Sequence, residues 1–383
     1  MAQTIYLSFF AGLLLYFSCN VYGNEIMFSN TWAVKIRGGN FTLLEKLALI
    51  HGFVNETQVV SDYYTFDQRM VPFRSSSPRN DVLDKLLAEP EVLWAEQQVL
   101  QPYRLYSSIT FNDPRWKDQW YMRRTDLPTY NVQQVWNMGF TGKGIVVAVV
   151  DEGLEKNHRE LQQNFDPKAS FDFIENDNDP SSSDPIDSVS HGNNCAGVIA
   201  AVANNSYCGV GIAYSANISG IRILDNKLTD ALKAKGLGFR QDYVDIYSNS
   251  WGPEDNGYGV AEIGVMTEKV IRKGAIEGRR GRGSMYVFGA GNGGYSKDSC
   301  SFNGLINSIY TIGITGVNKD GSVPRYGERC PGIMAVTYSK EIFTRADKVI
   351  TASHYGECTD RFSGSSAATA MASGLIALAL ESK

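Results

Sequence analysis

Four side chains, far apart along the chain, have the types that catalysis by a serine nucleophile requires. Ser366 lies in the small-residue stretch RFSGSSAATAMASG, and His191 is one of only four histidines. A nucleophilic serine needs a base that takes its proton and a carboxylate that orients this base, which His191 and Asp151 can supply. Asn292, in the stretch GAGNGG, can hold an oxyanion together with the backbone N–H of Ser366.

Each of these residues also has an ordinary structural interpretation. A run of Ser, Ala and Gly suits a helix that packs closely against its neighbours, and Asp151 at a strand end could be a cap. The combination, in the order Asp151, His191, Ser366, with Asn292 between the last two, favours catalysis. Both interpretations hold for Ser366, because the small residues of its helix also allow close packing.

The segments around these residues alternate between two patterns. Short β-branched runs end in polar or glycine-rich turns in GIVVAVVD, YVDIYSNSWG and SMYVFGAGNGG. Helical stretches, NNCAGVIAAVA and GVMTEKVIRKGAIEG, lie between them. Continuous apolar strands separated by helices predict an α/β domain with an open parallel sheet and helices on both faces. In such sheets the chemistry gathers at the carboxyl ends of the strands.

Residues 26 to about 100 have a different pattern of strand-like and helical runs. The strand-like runs are TWAVKI, VVSDYYTF and VLWAEQQVL, and the helical runs are LLEKLALIHGF and DVLDKLLAEP. The pattern predicts a small α+β domain with the order β-α-β-β-α-β.

The first 23 residues have the features of a secretory signal peptide. An apolar run, Ile5 to Phe17, precedes a candidate cleavage site near Gly23 and is too short for a membrane anchor. The signal peptide leads us to expect a secretory-pathway or extracellular protein. No later segment of this chain is long and apolar enough to span a bilayer. Four glycosylation sequons fit secretion: Asn40, Asn55, Asn204 and Asn217.

Cysteine count and charge add two further expectations. Removal of the signal peptide takes Cys19 and leaves five cysteines, which suggests two disulfides and one free thiol in an oxidising compartment. The formal net charge of −5 offers no basic field, so no nucleic-acid partner is expected.

Five motifs follow one another along the chain: VVDEGLEKNH, HGNNCAGVIAA, NSWGPEDNG, GAGNGG and SGSSAATA. Together they resemble the motifs of the subtilisin-like serine proteases of the kexin/furin group, the proprotein convertases, and the resemblance runs from about Asn24 to Lys383. It implies a subtilisin-like fold in which Ser366 is the nucleophile, His191 the general base and acid, Asp151 its partner, and Asn292 the oxyanion donor. It implies substrate contacts at Ser250, Trp251, Gly252, Asp255 and Asn303.

The resemblance also implies Ca²⁺ as a cofactor and two cysteine pairs. One calcium site would use Asp113, Glu160, Val202, Asn205, Tyr207 and Gly209, with the valine, tyrosine and glycine contributing carbonyls. The other would use Asp255, Asp298 and Glu328. The implied disulfides are Cys208–Cys358 and Cys300–Cys330, which leaves Cys195 as the free thiol.

The chain departs from the family pattern in its substrate subsites. The group recognises basic residues with carboxylates, and Asp255 remains for the S1 subsite. Its companion acid is replaced by Asn303 here, and the S4 acids appear as Lys233 and Ala261. The S2 acids correspond to Glu152 and Ser188. Loss of one partner of a buried charged pair typically costs about 2–5 kcal/mol, so we expect a weaker preference for multibasic sites.

The prosegment also departs from the family pattern. The family's dibasic end is replaced by Tyr103-Arg104-Leu105-Tyr106, the inner site keeps Arg69 and Arg74, and the pH-sensing histidine corresponds to Thr65. Next to the nucleophile, Phe362 stands where the family has His and Ala370 where it has Pro.

Two functions therefore remain open. The first is a calcium-dependent serine endopeptidase that cleaves proproteins at basic or altered sites, with its own prosegment as inhibitor. The alternative is a catalytically impaired relative that acts by binding or folding assistance. The intact triad, second calcium site and cysteine pairs favour the enzyme. The expected organisation is a signal peptide at 1–23, a prodomain at 24–106, and a peptidase domain at 107–383 that is incomplete because the chain ends inside the serine helix.

Overall fold

The computed structural model describes residues 27–100, 109–125, 129–181, 190–225 and 228–383. Packing divides the chain into two compact units, within residues 1–105 and 106–383. The expected signal peptide, the altered dibasic site at Tyr103–Tyr106 and Ser188 lie outside the described residues.

The first unit is a four-stranded antiparallel sheet with two helices. Its strands follow the spatial order β2-β3-β1-β4. The bounds are β1 (Phe28–Ile36), α1 (Phe41–His51), β2 (Phe53–Val60), β3 (Tyr63–Gln68), α2 (Asn80–Leu87) and β4 (Val92–Val99). The predicted order β-α-β-β-α-β is confirmed. The run VVSDYYTF, however, is not one strand, because the chain turns at Ser61 (φ 51°) between β2 and β3.

Local signals explain the first helix of this unit. Asn40 caps α1 by accepting a hydrogen bond from the backbone N–H of Leu43, and Gly52 ends it in the left-handed conformation. Leu44 and Leu47 point from α1 into a core that also contains Trp32 of β1. Burial of these side chains against the sheet holds the unit together.

The second unit is built on a seven-stranded sheet with the order β11-β10-β9-β8-β5-β7-β6, and every pair in it is parallel. Its strands are β5 (Val146–Asp151), β6 (Phe171–Asp172), β7 (Asn217–Arg222), β8 (Ile246–Asn249), β9 (Met285–Gly289), β10 (Ile312–Val317) and β11 (Ile333–Tyr338). A separate antiparallel pair is formed by β12 (Val349–Ala352) and β13 (Cys358–Phe362).

Six helices accompany these strands in the described part of the second unit. They are α3 (Trp120–Arg123), α4 (Val132–Asn137), α5 (Ser190–Ala200), α6 (Asp230–Leu237), α7 (Val265–Gly281) and α8 (Gly364–Glu381). Short 3₁₀ turns span Arg37–Gly39 in the first unit and Trp116–Asp118, Pro167–Ala169, Gly293–Ser296, Cys300–Phe302 and His354–Gly356 in the second.

Both faces of the parallel sheet are buried. Along β5, Val147 and Val149 belong to one apolar cluster, while Val146, Ala148 and Val150 belong to another. The first cluster includes residues of α5 and α8, and the second includes residues of α6 and α7. This alternation is the period of two expected for a strand between two helical layers, and it confirms the predicted α/β class.

The strand order places a crevice beside β5. The chain passes from β5 to β6 and β7 on one side of it, and then crosses to β8 on the other side. Ligand sites in open α/β sheets lie at such a switch, beyond the carboxyl ends of the strands. Among the described residues, no helix has the length and apolarity to cross a membrane.

The contact between α5 and β12 generates a stability prediction. A Cβ atom on Gly197 would lie 2.4 Å from Thr351 Oγ1 and 2.6 Å from the backbone nitrogen of Ala352. Gly197→Ala should therefore destabilise the second unit by about 1–3 kcal/mol, the usual cost of overpacking. Thermal unfolding would measure this loss. The matched control is Gly259→Ala, where a Cβ meets nothing within 4 Å. Equal melting temperatures for the two variants would refute the packing argument.

Candidate active site

Three side chains form an unbroken hydrogen-bonded chain at the carboxyl end of β5. Asp151, the last residue of that strand, has both carboxylate oxygens near His191 Nδ1, at 2.9 and 3.0 Å. His191 Nε2 lies 3.0 Å from Ser366 Oγ. Asp151 is 1% exposed, so its charge faces the imidazole rather than water. The arrangement can orient one imidazole nitrogen while the other exchanges a proton with the hydroxyl.

Each of the three positions follows from the local fold. Asp151 ends an apolar strand, and His191 is the second residue of α5. Ser366 is the third residue of α8, which begins at Gly364 with φ 77°. A side chain at Gly364 would lie 2.8 Å from Asn292 Oδ1, so the tight entry into α8 requires glycine.

The serine hydroxyl has two acceptors within reach. Besides His191 Nε2, Ser366 Oγ lies 3.2 Å from the backbone oxygen of Ser250. When the imidazole is protonated, Nε2 donates to Ser366 Oγ and the hydroxyl proton points to Ser250. When the imidazole is neutral at Nε2, the hydroxyl donates to it. The same geometry therefore serves both protonation states of His191.

The surroundings favour the protonated form of His191. Burial of the ring lowers its pKa, but the charge of Asp151, their hydrogen bond and the charge of Glu152 outweigh this and raise the pKa of His191 to about 9. A third of the His191 side chain remains exposed. Phe362 packs edge-to-face against the ring, with centroids 5.8 Å apart, so the apolar side of the imidazole is covered.

Asn292 lies in the turn after β9, within reach of the start of α8. Its Oδ1 accepts a hydrogen bond of 2.8 Å from the backbone N–H of Ser365. This contact fixes the side-chain amide, so Nδ2 is left as the donor on the other side. Because α8 starts here, backbone N–H groups and the positive end of the helix dipole lie beside the same amide.

The segment after β8 runs beside the serine. The Ser250 side chain donates to the backbone oxygen of Ser366 at 3.2 Å. Trp251 is anchored by its indole N–H, which donates to the backbone oxygen of Val150 at 2.8 Å. Gly252 follows and is exposed. This segment, which runs from the buried Ser250 to the exposed Gly252, offers backbone groups with which a peptide in strand conformation could pair.

A cavity of about 200 Å³ opens next to this segment. Its lining includes Gly252, Asp255, Asn303, Asp298 and Glu328. The structure thus brings the predicted S1 residues and the carboxylates of the second predicted calcium site into one pocket. Asn303 is buried, and its Oδ1 accepts from the backbone N–H of Leu305 at 3.0 Å.

Two of the three carboxylates in this pocket hold the turn that contains Asn292 and Gly293. Asp255 Oδ2 accepts from the Asn292 backbone N–H at 2.9 Å, and Glu328 Oε1 accepts from Gly293 N–H at 3.0 Å. Burial is the main cause that raises the pKa values of Asp255 and Glu328, and the neighbouring charge of Asp298 raises both further. Within the described part of the chain, none of the three forms an ion pair.

This donor set suits a hard cation. Clustered carboxylates that repel one another in a partly buried pocket are stabilised by a divalent ion, and oxygen ligands are those that Ca²⁺ prefers. In the described residues, the oxygens of these three carboxylates do not all lie within 4.8 Å of one another, so a shared ion would draw them closer together.

The residues predicted for the first calcium site also lie together. Asp113 accepts from the backbone N–H groups of Asn204 and Asn205, and Asn205 Nδ2 donates to Glu160 Oε1 at 2.8 Å. Glu160 is fully buried, and its Oε2 has no hydrogen-bond partner among the residues that the structure describes. Burial raises the pKa of Glu160 to about 8. An orphaned buried carboxylate oxygen is the feature that a cation would satisfy.

The carbonyl-bearing residues of the first site follow on the same loop. Val202 donates its N–H to the Glu160 backbone oxygen at 2.9 Å, and Tyr207 donates its N–H to Asn205 Oδ1 at 2.9 Å. Gly209 packs against Gln119, where a side chain would have no room. All six predicted residues therefore belong to one region of the second unit.

The cysteines form two disulfides, Cys208–Cys358 and Cys300–Cys330, with Cα atoms 5.6 and 5.4 Å apart. Cys195 is free and buried. It lies on α5 behind Asp151 and His191, and burial raises the pKa of its thiol well above the ordinary value. The thiol is therefore neutral and packs as a small apolar group.

Two contacts of the site were not predicted from the sequence. Glu152 was assigned to S2, but its Oε1 accepts the backbone N–H of His191 at 2.8 Å. Glu328 was assigned to calcium alone, yet it also holds Gly293. The position of a carboxylate directly after Asp151 was the available sequence signal for the contact between Glu152 and His191. Nothing in the sequence around Glu328 indicated its contact with Gly293.

Comparison with known proteins defines the class to which this arrangement belongs. The subtilase family matches residues 142–383, and the peptidase S8 pro-domain matches residues 31–102. A serine protease of Aeromonas sobria, solved with its chaperone, shares the fold with a TM-score of 0.63 at 19% identity, over 72% of this chain and 55% of that chain. The chain belongs to the subtilase family.

Within that family the relationship is to the furin/kexin type. Furin-1 of Xenopus laevis is 43% identical over 93% of this chain and 45% of its own length. Furin of Homo sapiens is 42% identical over 97% and 46%, and proprotein convertase subtilisin/kexin type 4 of Rattus norvegicus is 39% identical over 93% and 52%. The chain spans about half the length of these relatives.

The Asp151–His191 contact generates a pH prediction. The pKa of His191 in the folded state, about 9, lies above the ordinary value of about 6.5. The Asp151–His191 pair therefore stabilises the folded state fully at pH values below about 6.5. This stabilisation is lost as the pH rises through about 9. Asp151→Asn should therefore lower the melting temperature more at about pH 6 than at about pH 9.5. Differential scanning fluorimetry would measure both.

The exposed Asp242 provides the control, since Asp242→Asn should have little effect at either pH. A loss for Asp151→Asn that is the same at both pH values would contradict the assignment of the stabilisation to the imidazolium–carboxylate pair.

Proposed function

We propose that this chain carries the catalytic machinery of a secretory-pathway serine endopeptidase that cleaves proproteins. The observation that carries the proposal is the hydrogen-bonded chain Asp151–His191–Ser366 beside a fixed Asn292. Nucleophile, base, orienting carboxylate and oxyanion donor are the four parts that acyl transfer through serine requires. Membership of the subtilase family supports the same chemistry.

The proposed mechanism uses the two protonation states of His191. Neutral His191 Nε2 accepts the hydroxyl proton as Ser366 Oγ attacks the scissile carbonyl carbon. The carbonyl oxygen becomes an oxyanion and accepts hydrogen bonds from Asn292 Nδ2 and the backbone N–H of Ser366. The imidazolium, held by Asp151, then gives its proton to the leaving amine. Water hydrolyses the acyl-enzyme by the same steps, and Ser366 regains its proton.

The substrate would bind as an extended strand along Ser250–Gly252, with its P1 side chain in the 200 Å³ cavity. Asp255, Asp298 and Glu328 carry more negative charge than one Ca²⁺ ion would offset, and the remaining negative charge of this cavity favours a basic P1 residue. Asn303 contributes a neutral amide on the cavity wall. We therefore expect single arginine or lysine residues to be accepted, with a weaker demand for a second basic residue.

Calcium would be held by two sets of oxygen ligands: Asp113, Glu160, Asn205 and the carbonyls of Val202, Tyr207 and Gly209, and Asp255, Asp298 and Glu328. When bound it supplies positive charge that offsets the repulsion among buried carboxylates. The second set matters for catalysis because Asp255 and Glu328 fix the backbone at Asn292 and Gly293. The region 24–106 would act as the prosegment that inhibits this site before activation.

The decisive experiment compares the chain, expressed in a secretory host with calcium, with its Ser366→Ala variant. A fluorophosphonate probe should label the wild type at Ser366, and peptides with a single P1 arginine should be cleaved. Neither reaction should occur in Ser366→Ala. Labelling absent from both proteins, with cooperative unfolding retained, would reject the protease and favour the alternative function in binding or folding assistance.

Asn292 generates a kinetic prediction. Asn292→Asp keeps an oxygen that can accept from Ser365 but removes the amide donor, so it separates support of α8 from oxyanion binding. We expect kcat to fall by about 10²–10³-fold with little change in KM, the usual cost of losing one oxyanion donor. Steady-state kinetics on a peptide ester would test this. A drop of less than about tenfold would exclude Asn292 from the oxyanion hole.

The buried Glu160 generates a binding prediction. Since its pKa is about 8, this carboxyl is largely protonated at neutral pH, and calcium must displace the proton. Calcium binding at about pH 7 should release about one proton from this site, and less at about pH 9. Calorimetry in two buffers of different ionisation enthalpy measures the release.

Glu160→Gln should remove this component of the proton release. Heats of calcium binding that are identical in both buffers for the wild type would contradict a protonated Glu160 in the calcium-free protein.

A further inference from the structure

The N-terminus of α5 is bound by a carboxylate from the neighbouring strand end. Glu152 Oε1 accepts the backbone N–H of His191 at 2.8 Å. His191 is the second residue of this eleven-residue helix, so its N–H has no partner inside the helix. A carboxylate at this place is also favoured by the helix dipole. The contact therefore ties the backbone of the catalytic histidine to the end of β5.

Glu152 is itself held in place by its backbone. Its N–H donates to Asp151 Oδ1 at 2.9 Å, and its carbonyl oxygen accepts from Arg222 Nε of β7 at 3.1 Å. Arg222 in turn is paired with the buried Asp172 at 2.7 Å. The Glu152 side chain thus extends from backbone that is hydrogen-bonded on both sides. This backbone lies next to the Asp151 carboxylate, which binds the imidazole.

Glu152 also adds charge beside the ring. Burial lowers the pKa of His191, and Asp151 raises it. The charge of Glu152 raises the pKa of His191 further. The other groups packed around the ring are Cys195 of α5, whose thiol is neutral, Ser366 of α8 and the uncharged Phe362 of β13. Among the described residues, Asp151 and Glu152 are the two charges that act on this imidazole.

We propose that Glu152 is a positioning residue of the active site, whose carboxylate anchors the backbone of His191 and keeps a second negative charge beside its ring. This differs from the recognition of a basic P2 residue that the family resemblance implies for the position. The carboxylate would place His191 for proton transfer and stabilise the imidazolium that forms as Ser366 attacks. The inference rests on the proposed function, because only a proton-transferring His191 makes this anchoring catalytically useful.

The test separates charge from anchoring with two substitutions in the full chain. Glu152→Gln keeps an oxygen that can accept the His191 N–H but loses the charge, and Glu152→Ala loses both. Each is made with Ser366→Ala, which prevents self-cleavage, and the His191 ring is titrated by NMR, which needs no activity. Glu277→Gln, an exposed acid on α7, is the control and should leave the titration unchanged.

We expect Glu152→Gln to lower the titration midpoint of His191 by about one pH unit with a small change in melting temperature. Glu152→Ala should shift the midpoint similarly and also lower the melting temperature by about 2–4 °C, because the helix loses its anchor. In the enzyme with Ser366 intact, the acid limb of kcat/KM should move to lower pH in Glu152→Gln by the same amount.

A His191 midpoint that is unchanged in Glu152→Gln would overturn the inference, since a group of purely structural importance alters stability without altering the titration. An NMR shift in a chain whose wild type shows no Ser366-dependent activity would uphold the role of Glu152 and reject the proposed protease. The two failures are therefore distinguishable.

Discussion

The contact between Asp151 and His191 is the interaction on which the rest of the site depends. A buried carboxylate is costly unless it is paired, and here the imidazole and the backbone N–H of Glu152 supply its partners. The pairing fixes the orientation of the ring, so that Nε2 meets Ser366 Oγ at 3.0 Å. It also raises the proton affinity of His191. In the proposed mechanism this would stabilise the imidazolium that forms during acyl transfer, while the reaction would start from the neutral ring.

The parallel sheet makes this pairing possible at short range. Asp151 ends β5, and Ser250 and Asn292 follow the adjacent strands β8 and β9 at the same edge of the sheet. Ser366 comes from α8, whose small residues pack deeply enough that Ser373 Oγ reaches Ser248 Oγ at 2.9 Å. The small-residue composition around Ser366 therefore serves packing and access to the site together, because a bulkier helix could not approach the strands so closely.

Charge links the cavity beside Gly252 to the turn that contains Asn292. Asp255 lines the cavity and also accepts the backbone N–H of Asn292, while Glu328 accepts that of Gly293. A cation that neutralises these carboxylates would act on groups that hold the backbone of Asn292 and Gly293. In the proposed mechanism, a change of charge in this pocket would therefore affect turnover as well as specificity.

Much of this protein was predictable from short-range patterns. Alternating β-branched runs and helices indicated the α/β class, and strand-end positions identified Asp151 and Asn292, because periodicity and turn residues are local properties of a sequence. The bend at Ser61 was missed, since a run of strand-forming residues does not reveal where it turns. Only the tertiary structure decided which carboxylates meet which backbone groups. The reach of Glu152 to His191 and of Glu328 to Gly293 spans 39 and 35 residues, and such contacts depend on the packing of separate strands and helices rather than on any local preference.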